Sequence, residues 1–113
     1  MIYGIKLMFH IPHFAFVDGV LIGIDYTSFK EMLSERFVKI GVSSWYSSLV
    51  KGIYKGREYD EEILTVYCVD DIDTAIINEF ITGVSMFHHE LRQEYYAYEK
   101  DDILVTIKIG EQK

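Results

Sequence analysis

Four histidines supply the first candidate chemistry in this sequence, because imidazole is a frequent ligand of zinc and other first-row metals. They occur in two short groups, His10-x-x-His13 and His88-His89-Glu90. Residues three apart in a strand point to opposite faces, so His10 and His13 converge only if Pro12 bends the chain. His88 and His89 diverge on a helix and are favoured near its C-terminal carbonyls. If Pro12 does bend the chain, His10 and His13 can bind a metal together, so a metal-binding protein is one alternative.

The single cysteine, Cys68, is a second candidate, as a nucleophile. No cationic residue lies beside it in the sequence and the surrounding segment is apolar, so we predict a buried structural thiol. A lone cysteine has no intrachain partner, which excludes an internal disulfide and favours a reducing compartment. Because residues 1–6 also lack the pattern of a signal peptide, we predict a cytoplasmic location.

Aromatic residues concentrate in segments that have the composition of strands. Six of them form a candidate partner-binding set: Trp45, Tyr46, Tyr54, Tyr95, Tyr96 and Tyr98. Such residues can line a small-molecule pocket, stack on bases or form a protein interface. Base-stacking surfaces come with a cationic groove, whereas residues 58–62 hold four carboxylates. We therefore predict a protein interface in which Glu58, Asp60 and Glu61 join the six aromatic residues.

Composition and charge narrow the class of protein. The chain has 113 residues, half of them hydrophobic, which predicts a single folded domain over residues 1–113. Its formal net charge of −7 opposes binding to nucleic-acid phosphates and to anionic membranes. The most apolar stretch, residues 14–24, is interrupted by Asp18-Gly19 and is too short to span a bilayer. The glycines form no phosphate-binding fingerprint, so no cofactor is predicted.

The longest apolar run, residues 62–69, predicts a central strand, because both of its faces are apolar except at Thr65. A helix is predicted to follow it as far as Leu91, with Phe80 on the buried stripe and facing the strand at Val66 or Cys68. The other predicted strands cover residues 2–11, 42–54, 95–98 and 103–109.

Two local signals define the segment between the first strand and the first helix. Asp18-Gly19 lies between apolar arms, which is typical of a β-hairpin, although an elaborated loop fits as well. Ser28 and Glu31 have the spacing of a capping box, which predicts a helix start at Ser28. The apolar stripe of that helix is predicted at Phe29, Met32, Leu33 and Phe37.

The predicted order of strand, helix, two strands, helix and strand is that of an α+β, ferredoxin-like (split βαβ) fold. In this fold two helices cover one face of an antiparallel sheet, and here an extra hairpin or long loop follows the first strand. The opposite face is then rich in aromatic residues. We predict that a second copy of the chain covers it, in a homodimer.

Three local features resemble a family of small bacterial ferredoxin-like domains of unknown function, some of which are predicted lipoproteins. They are the helix start at Ser28 after an elaborated loop, the hairpin segment at residues 51–58 that runs into an aliphatic strand, and Gln93-Glu94 after the second helix. The resemblance covers most of the chain and implies the fold, but no activity. The sequence departs from that family because it lacks a lipoprotein signal.

The leading hypothesis from the sequence is a non-enzymatic, acidic protein-interaction module, since no convergent catalytic set is present. A more specific version is an inhibitor encoded by a phage or other mobile element, whose carboxylates occupy the basic nucleic-acid channel of a partner protein. The competing hypothesis is a small-molecule-binding protein or enzyme of the dimeric α+β barrel type, with a pocket between sheet and helices.

Overall fold

A computed structural model describes residues 3–69 and 71–109, which form seven strands and three helices. The strands are β1 (Ile5–Ile11), β2 (Phe14–Val17), β3 (Val20–Gly23), β4 (Trp45–Tyr54), β5 (Arg57–Cys68), β6 (Tyr96–Lys100) and β7 (Ile103–Ile107). The helices are α1 (Thr27–Lys39), α2 (Asp73–Met86) and α3 (His88–Leu91). The prediction of a mixed α+β protein is confirmed.

Five strands form one antiparallel sheet in the order β4-β5-β1-β6-β7. The run at residues 62–69 does belong to an interior strand, β5, but the middle strand of the sheet is β1. Its residues alternate between fully and partly buried, with Leu7 opposite Val66 and Phe9 opposite Leu64 on the face that the helices cover. An apolar run thus indicated an interior strand without indicating which interior position the strand takes.

The segment after β1 is a true hairpin, because β2 and β3 pair from Phe14 opposite Gly23 to Val17 opposite Val20. Its two turn residues, Asp18 and Gly19, have φ angles of 51° and 78°. Positive φ at both central positions is the geometry of a type I′ turn, which Asp-Gly favours. The hairpin interpretation of Asp18-Gly19 is therefore confirmed, and the loop alternative is not needed.

The capping-box prediction at the start of α1 is wrong. The helix begins at Thr27, one residue before Ser28, and its N-cap residue, Tyr26, makes no side-chain capping hydrogen bond. Asp25 instead accepts a hydrogen bond from the Thr27 amide through its Oδ1, at 3.1 Å. Ser28 lies inside the first turn, so its hydroxyl has no capping position. Phe29, Leu33 and Phe37 of the predicted stripe are buried, whereas Met32 is only partly buried at the edge of the core.

The second helix is shorter than predicted, because α2 ends at Met86 and the chain turns at Phe87. The Phe87 carbonyl accepts hydrogen bonds from the amides of Glu90 and Leu91, so a separate short helix, α3, starts there. Leu91 is still fully buried. No helix in the described part of the chain has both the length and the apolar content needed to cross a membrane.

Phe80 lies at the centre of the core between the sheet and the two long helices. It is fully buried, and its ring centroid lies 4.8 Å from that of Phe9 and 6.2 Å from that of Phe29. Gly83, one turn further along α2, allows the close approach of α1. A methyl group at Gly83 would lie 3.1 Å from a ring carbon of Phe29. The core thus fixes both helices on one face and leaves the opposite face of the sheet, here called the open face, without helices.

Candidate functional site

The open face carries a histidine between two carboxylates. His10 projects from β1, and its ring nitrogens contact one glutamate on each neighbouring strand. Nδ1 lies 2.7 Å from Oε1 of Glu61 on β5, and Nε2 lies 3.0 Å from Oε2 of Glu99 on β6. With both nitrogens against carboxylates, the imidazole is suited to be a charged, twofold donor.

These contacts change the acid–base behaviour of His10. Partial burial lowers the pKa of His10, but hydrogen bonds and charge interactions with Glu61 and Glu99 outweigh this, so the pKa lies above its usual 6.5. When His10 is protonated, the three side chains together carry a net charge of −1. The group therefore presents carboxylate oxygens and negative charge to whatever lies on the open face.

A cleft opens beside this group, and we refer to it as the His10 cleft. Its inner part has a volume of about 130 Å³ and is lined by His10, Glu61 and other residues. Its outer part, of about 300 Å³, extends toward the β2–β3 hairpin. Both parts share four lining residues: Phe14, Tyr59, Gln93 and Tyr95. The combined volume falls in the range of small-molecule sites.

Two elements build the outer wall of the cleft, the β2–β3 hairpin and the segment that follows α3. Gln93 joins them, because its Nε2 donates hydrogen bonds to the carbonyl oxygens of Phe14 and Leu91, each at 2.8 Å. The chain reaches Gln93 through Arg92, which has a left-handed φ of 57°. Tyr95 follows with a side chain that is 53% exposed. Nζ of Lys108 lies 5.8 Å from the centroid of this ring, so one face has a cationic neighbour and the other face can stack on a planar ligand.

A second histidine cluster lies on the helix side of the sheet. Glu62 on β5 is only 4% exposed, and its carboxylate accepts hydrogen bonds from His13 Nε2 at 2.9 Å and Lys30 Nζ at 2.8 Å. The His13 ring stacks on Tyr26 with 3.7 Å between centroids. Burial raises the pKa of Glu62, but the bonds from Lys30 and His13 outweigh it and lower that pKa overall. The cluster links the end of β1, α1 and β5.

The two histidines predicted as metal ligands both line the inner part of the His10 cleft, but they bind different carboxylates. His10 contacts Glu61 and Glu99 on the open face, whereas His13 contacts Glu62, whose side chain points to the opposite face of β5. Between residues 3 and 109, position 70 excepted, no group of three His, Cys, Asp or Glu side chains is arranged to hold a metal ion.

The six aromatic residues predicted as one partner surface do not come together. Trp45 packs edge-on against Phe37 at 5.8 Å between ring centroids, and Tyr98 lies 6.2 Å from Phe9, so both face the helices. Tyr96 is 3% exposed. Tyr46 and Tyr95 are exposed, and the side chain of Tyr54 lies outside the described part of the structure. Alternation along β4 and β6 divides the set between the two faces.

Tyr96 has a structural role within the core. Its hydroxyl lies 2.6 Å from Nδ1 of His88, at the start of α3. Burial raises the pKa of Tyr96 to about 12, so the phenol stays neutral. The bond connects β6 to α3 next to the Gln93 segment and so helps to place the cleft wall.

Most carboxylates of the acidic run at residues 58–62 are paired within the chain. Asp60 binds Lys51, Glu61 binds His10, and Glu62 binds Lys30 and His13. Glu58 is exposed. A carboxylate already paired within its own chain contributes less to attraction of a basic partner. The pairing thus reduces the support for an acidic inhibitor surface.

Sequence reasoning missed Glu99 and Tyr59, and it noted Gln93 only as part of a resemblance. Glu99 was assigned to a turn, but it is the fourth residue of β6 and lies opposite Met8 of β1. The alternation of Tyr95, Ala97 and Glu99 was a usable signal, since it puts all three on one face. Nothing in the local sequence pairs Glu99 with His10.

Comparisons with known proteins give a fold but no family. No protein-family model and no curated protein matches the chain. Phage SAM lyase in complex with S-methyl-5′-thioadenosine is similar with a TM-score of 0.61 and 10% identity, over 95% of this chain and 91% of the lyase. Phage SAM lyase in the apo state is similar with a TM-score of 0.57 and 10% identity, over 97% of this chain and 93% of the lyase. A third similar structure is that of CPII, a nitrogen regulatory PII-like protein from Thiomonas intermedia K12 bound to ADP, AMP and bicarbonate. Its TM-score is 0.45 and its identity 11%, over 96% of this chain and 94% of CPII.

The charge of His10 makes a prediction for stability against pH. Because the pKa of His10 is raised in the folded state, its contribution is fully present below the unfolded pKa of about 6.5 and is lost as pH rises through the folded pKa. We therefore expect the free energy of unfolding, measured in urea, to fall from pH 6 to pH 9 in the native chain. The fall should be smaller in His10→Gln, which has no imidazole to lose its charge. An equal loss in both proteins would contradict a charged bridge between Glu61 and Glu99.

Proposed function

We propose that this protein binds a small nucleoside-type ligand in the His10 cleft. One observation carries the proposal: His10 and its partner Glu61 line the inner part of a cleft, and an exposed tyrosine, Tyr95, lines both of its parts. Charged polar groups beside an aromatic ring match a ligand that has a polar sugar and a planar base.

The chemistry of each part supports this class of ligand. The carboxylate oxygens of Glu61, which lines the cleft, can accept hydrogen bonds from ribose hydroxyls. The net negative charge of the group formed by His10, Glu61 and Glu99 favours a positively charged substituent such as a sulfonium. The ring of Tyr95 can stack on a purine. The likeness in fold to phage SAM lyase, one structure of which holds S-methyl-5′-thioadenosine, supports a thioether or sulfonium nucleoside as the first class to test.

Titration calorimetry with S-methyl-5′-thioadenosine tests the proposal. We expect binding by the native chain and at least about tenfold weaker binding by Tyr95→Ala, since loss of one stacked ring costs about 1–3 kcal/mol. Tyr46→Ala is the matched control, because Tyr46 is equally exposed (52% against 53%) but does not line the cleft. No measurable binding, or equal weakening by the two variants, would overturn the proposal.

A separate measurement distinguishes a binding protein from a lyase. The protein is incubated with S-adenosylmethionine and the products are separated by chromatography. If the chain releases S-methyl-5′-thioadenosine and Glu61→Gln does not, the chain is a small enzyme of α+β type. Binding without turnover would leave it as a nucleoside-binding protein.

We also propose a homodimer, formed through the open face. Three large apolar side chains there are substantially exposed on three different strands: Tyr46 (52%), Tyr67 (46%) and Leu104 (58%). Soluble monomers rarely leave such a face uncovered. Light scattering at micromolar concentration should give a mass near twice 13.2 kDa, and Tyr67→Asp should shift it toward the monomer. A single 13.2 kDa species across that range would contradict the proposal.

A second candidate function, protein interaction, is favoured by the outer half of the β4–β5 hairpin. The side chains of Leu49 and Ile53 point from β4 to the face of the sheet that carries the helices, yet each residue is 74% exposed. The helices therefore do not cover this outer arm of the β4–β5 hairpin. Three residues of the predicted partner-binding set also belong to this arm: Tyr54, Glu58 and Asp60. Co-purification of the native chain with a stoichiometric protein partner would favour this function over ligand binding, provided that Leu49→Asp abolishes the association. Val38→Asp is the control, because Val38 is exposed on α1, and this variant should keep the partner.

The finer fold assignment is also a proposal. We infer that the chain is a split βαβ, ferredoxin-like domain with one hairpin inserted after the first strand and one strand added at the edge. The order β4-β5-β1-β6 supports it, because the first strand then lies between the two strands that flank α2 in sequence.

A further inference from the structure

The side-chain amide of Gln93 has a determined orientation. Its nitrogen lies 2.8 Å from two carbonyl oxygens, those of Phe14 and Leu91. A carbonyl oxygen only accepts hydrogen bonds, so the group that faces both of them must be the NH2. Both of its hydrogens are used by these two bonds. The one polar atom of Gln93 that is left for another partner is the acceptor Oε1.

Gln93 also occupies a particular place in the His10 cleft. It lines the inner and the outer part, together with the rings of Tyr59 and Tyr95. A planar base that stacked on either ring would therefore lie in the same cleft as the side-chain amide of Gln93. His10 and Glu61 line only the inner part.

The lining of the cleft contains both hydrogen-bond acceptors and hydrogen-bond donors. The acceptors include the carboxylate of Glu61 and Oε1 of Gln93, whereas both nitrogens of His10 are already engaged by carboxylates. The guanidinium of Arg92 is a donor in the outer part. A ligand group that contacts Glu61 must therefore bring a hydroxyl or a cation, and a group that contacts Gln93 Oε1 must bring an N–H or O–H donor. A 6-aminopurine has such a group, whereas a purine with hydrogen at position 6 does not.

We propose that Gln93 Oε1 accepts a hydrogen bond from the amino group of a 6-aminopurine ligand and so determines base specificity in the His10 cleft. The inference rests on the proposed nucleoside-binding function and adds the class of base. The two bonds to Phe14 and Leu91 hold the amide in place before the ligand arrives, so little ordering is required on binding. Gln93 therefore acts as a fixed acceptor rather than as a flexible surface side chain.

The test compares two nucleosides in titration calorimetry with the full chain. One is S-methyl-5′-thioadenosine, and the other is the same nucleoside with hydrogen in place of the 6-amino group. We expect the native chain to bind the amino compound about tenfold more tightly, since the deamino compound leaves Oε1 without a donor. In Gln93→Met, which has a similar length but no acceptor oxygen, the two affinities should become equal.

The outcomes separate this inference from the proposed function. Equal affinities for the two nucleosides in the native chain would overturn the role of Gln93 and leave nucleoside binding intact. A preference that persists in Gln93→Met would also overturn it. Absence of binding by both compounds would overturn nucleoside binding and this inference together. Thermal unfolding of Gln93→Met is measured in parallel, and if that variant is unfolded, the comparison in the native chain decides the question alone.

Discussion

Replacing Phe80 with alanine should lower the free energy of unfolding by about 3–5 kcal/mol, a large share of the stability of a typical domain. The side chain is fully buried, and its ring lies between those of Phe9 (4.8 Å), Phe29 (6.2 Å) and Tyr98 (6.4 Å). These neighbours belong to three different elements, β1, α1 and β6, so no single rearrangement fills the space that the ring leaves. The cost therefore includes both lost burial and a cavity.

The control for this prediction lies on the same helix. Asn78 is exposed on α2, and its replacement by alanine should change stability by no more than about 0.5 kcal/mol. Glu79 is unsuitable as a control, because its carboxylate binds Arg36 of α1 at 2.9 Å. Urea unfolding followed by circular dichroism measures both variants. Similar small losses for Phe80→Ala and Asn78→Ala would mean that α2 does not pack on the sheet as described.

Replacing Glu62 with alanine should lower the free energy of unfolding by about 1–3 kcal/mol. The carboxylate is 4% exposed and accepts hydrogen bonds from both Lys30 and His13. Its removal leaves His13, whose side chain is 11% exposed, without its acceptor, whereas Lys30, at 37% exposed, can turn toward water. Glu58→Ala is the matched control, since Glu58 is an exposed glutamate on the same strand. Glu62→Gln keeps the shape of the side chain and one acceptor oxygen. We expect its loss of free energy of unfolding to lie between those of Glu62→Ala and Glu58→Ala.

The pH dependence of this variant gives an independent check. Since the pKa of Glu62 is lowered below its usual 4.5, its contribution is present above about pH 4.5 and is lost as pH falls through the folded pKa. The native chain should therefore lose more stability than Glu62→Ala between pH 6 and pH 3. If both proteins lose stability equally over that interval, the carboxylate is not held by Lys30 and His13 in solution.

Several parts of the fold were predictable because their causes are local. Asp18-Gly19 favours positive φ at two successive residues whatever surrounds it, so it predicted the hairpin. The buried stripe of Phe29, Leu33 and Phe37 follows from helical periodicity alone. The capping box at Ser28 failed for the opposite reason, since a shift of one residue in the helix start removes the capping position altogether.

The candidate site was predicted only in part. Glu61, Tyr95 and His10 were each selected from the sequence, but as members of two different hypothetical sites. The alternation of Tyr95 and Tyr96 showed that their side chains point to opposite faces of a strand. It did not show which face the helices cover, so the fully buried Tyr96 and the exposed Tyr95 were assigned to one surface.

By itself, the sequence determined the order of the strands and of the two long helices, the position of one turn and most of the buried stripe of α1, because these depend on neighbours within a few residues. The tertiary structure decided that β1 is the middle strand and that His10 meets Glu61 and Glu99, which are 51 and 89 residues away along the chain. Such contacts depend on the register between strands, and a slip of one residue would turn every side chain of a strand to the other face. Register is selected by burial across the whole sheet, so no local pattern specifies it.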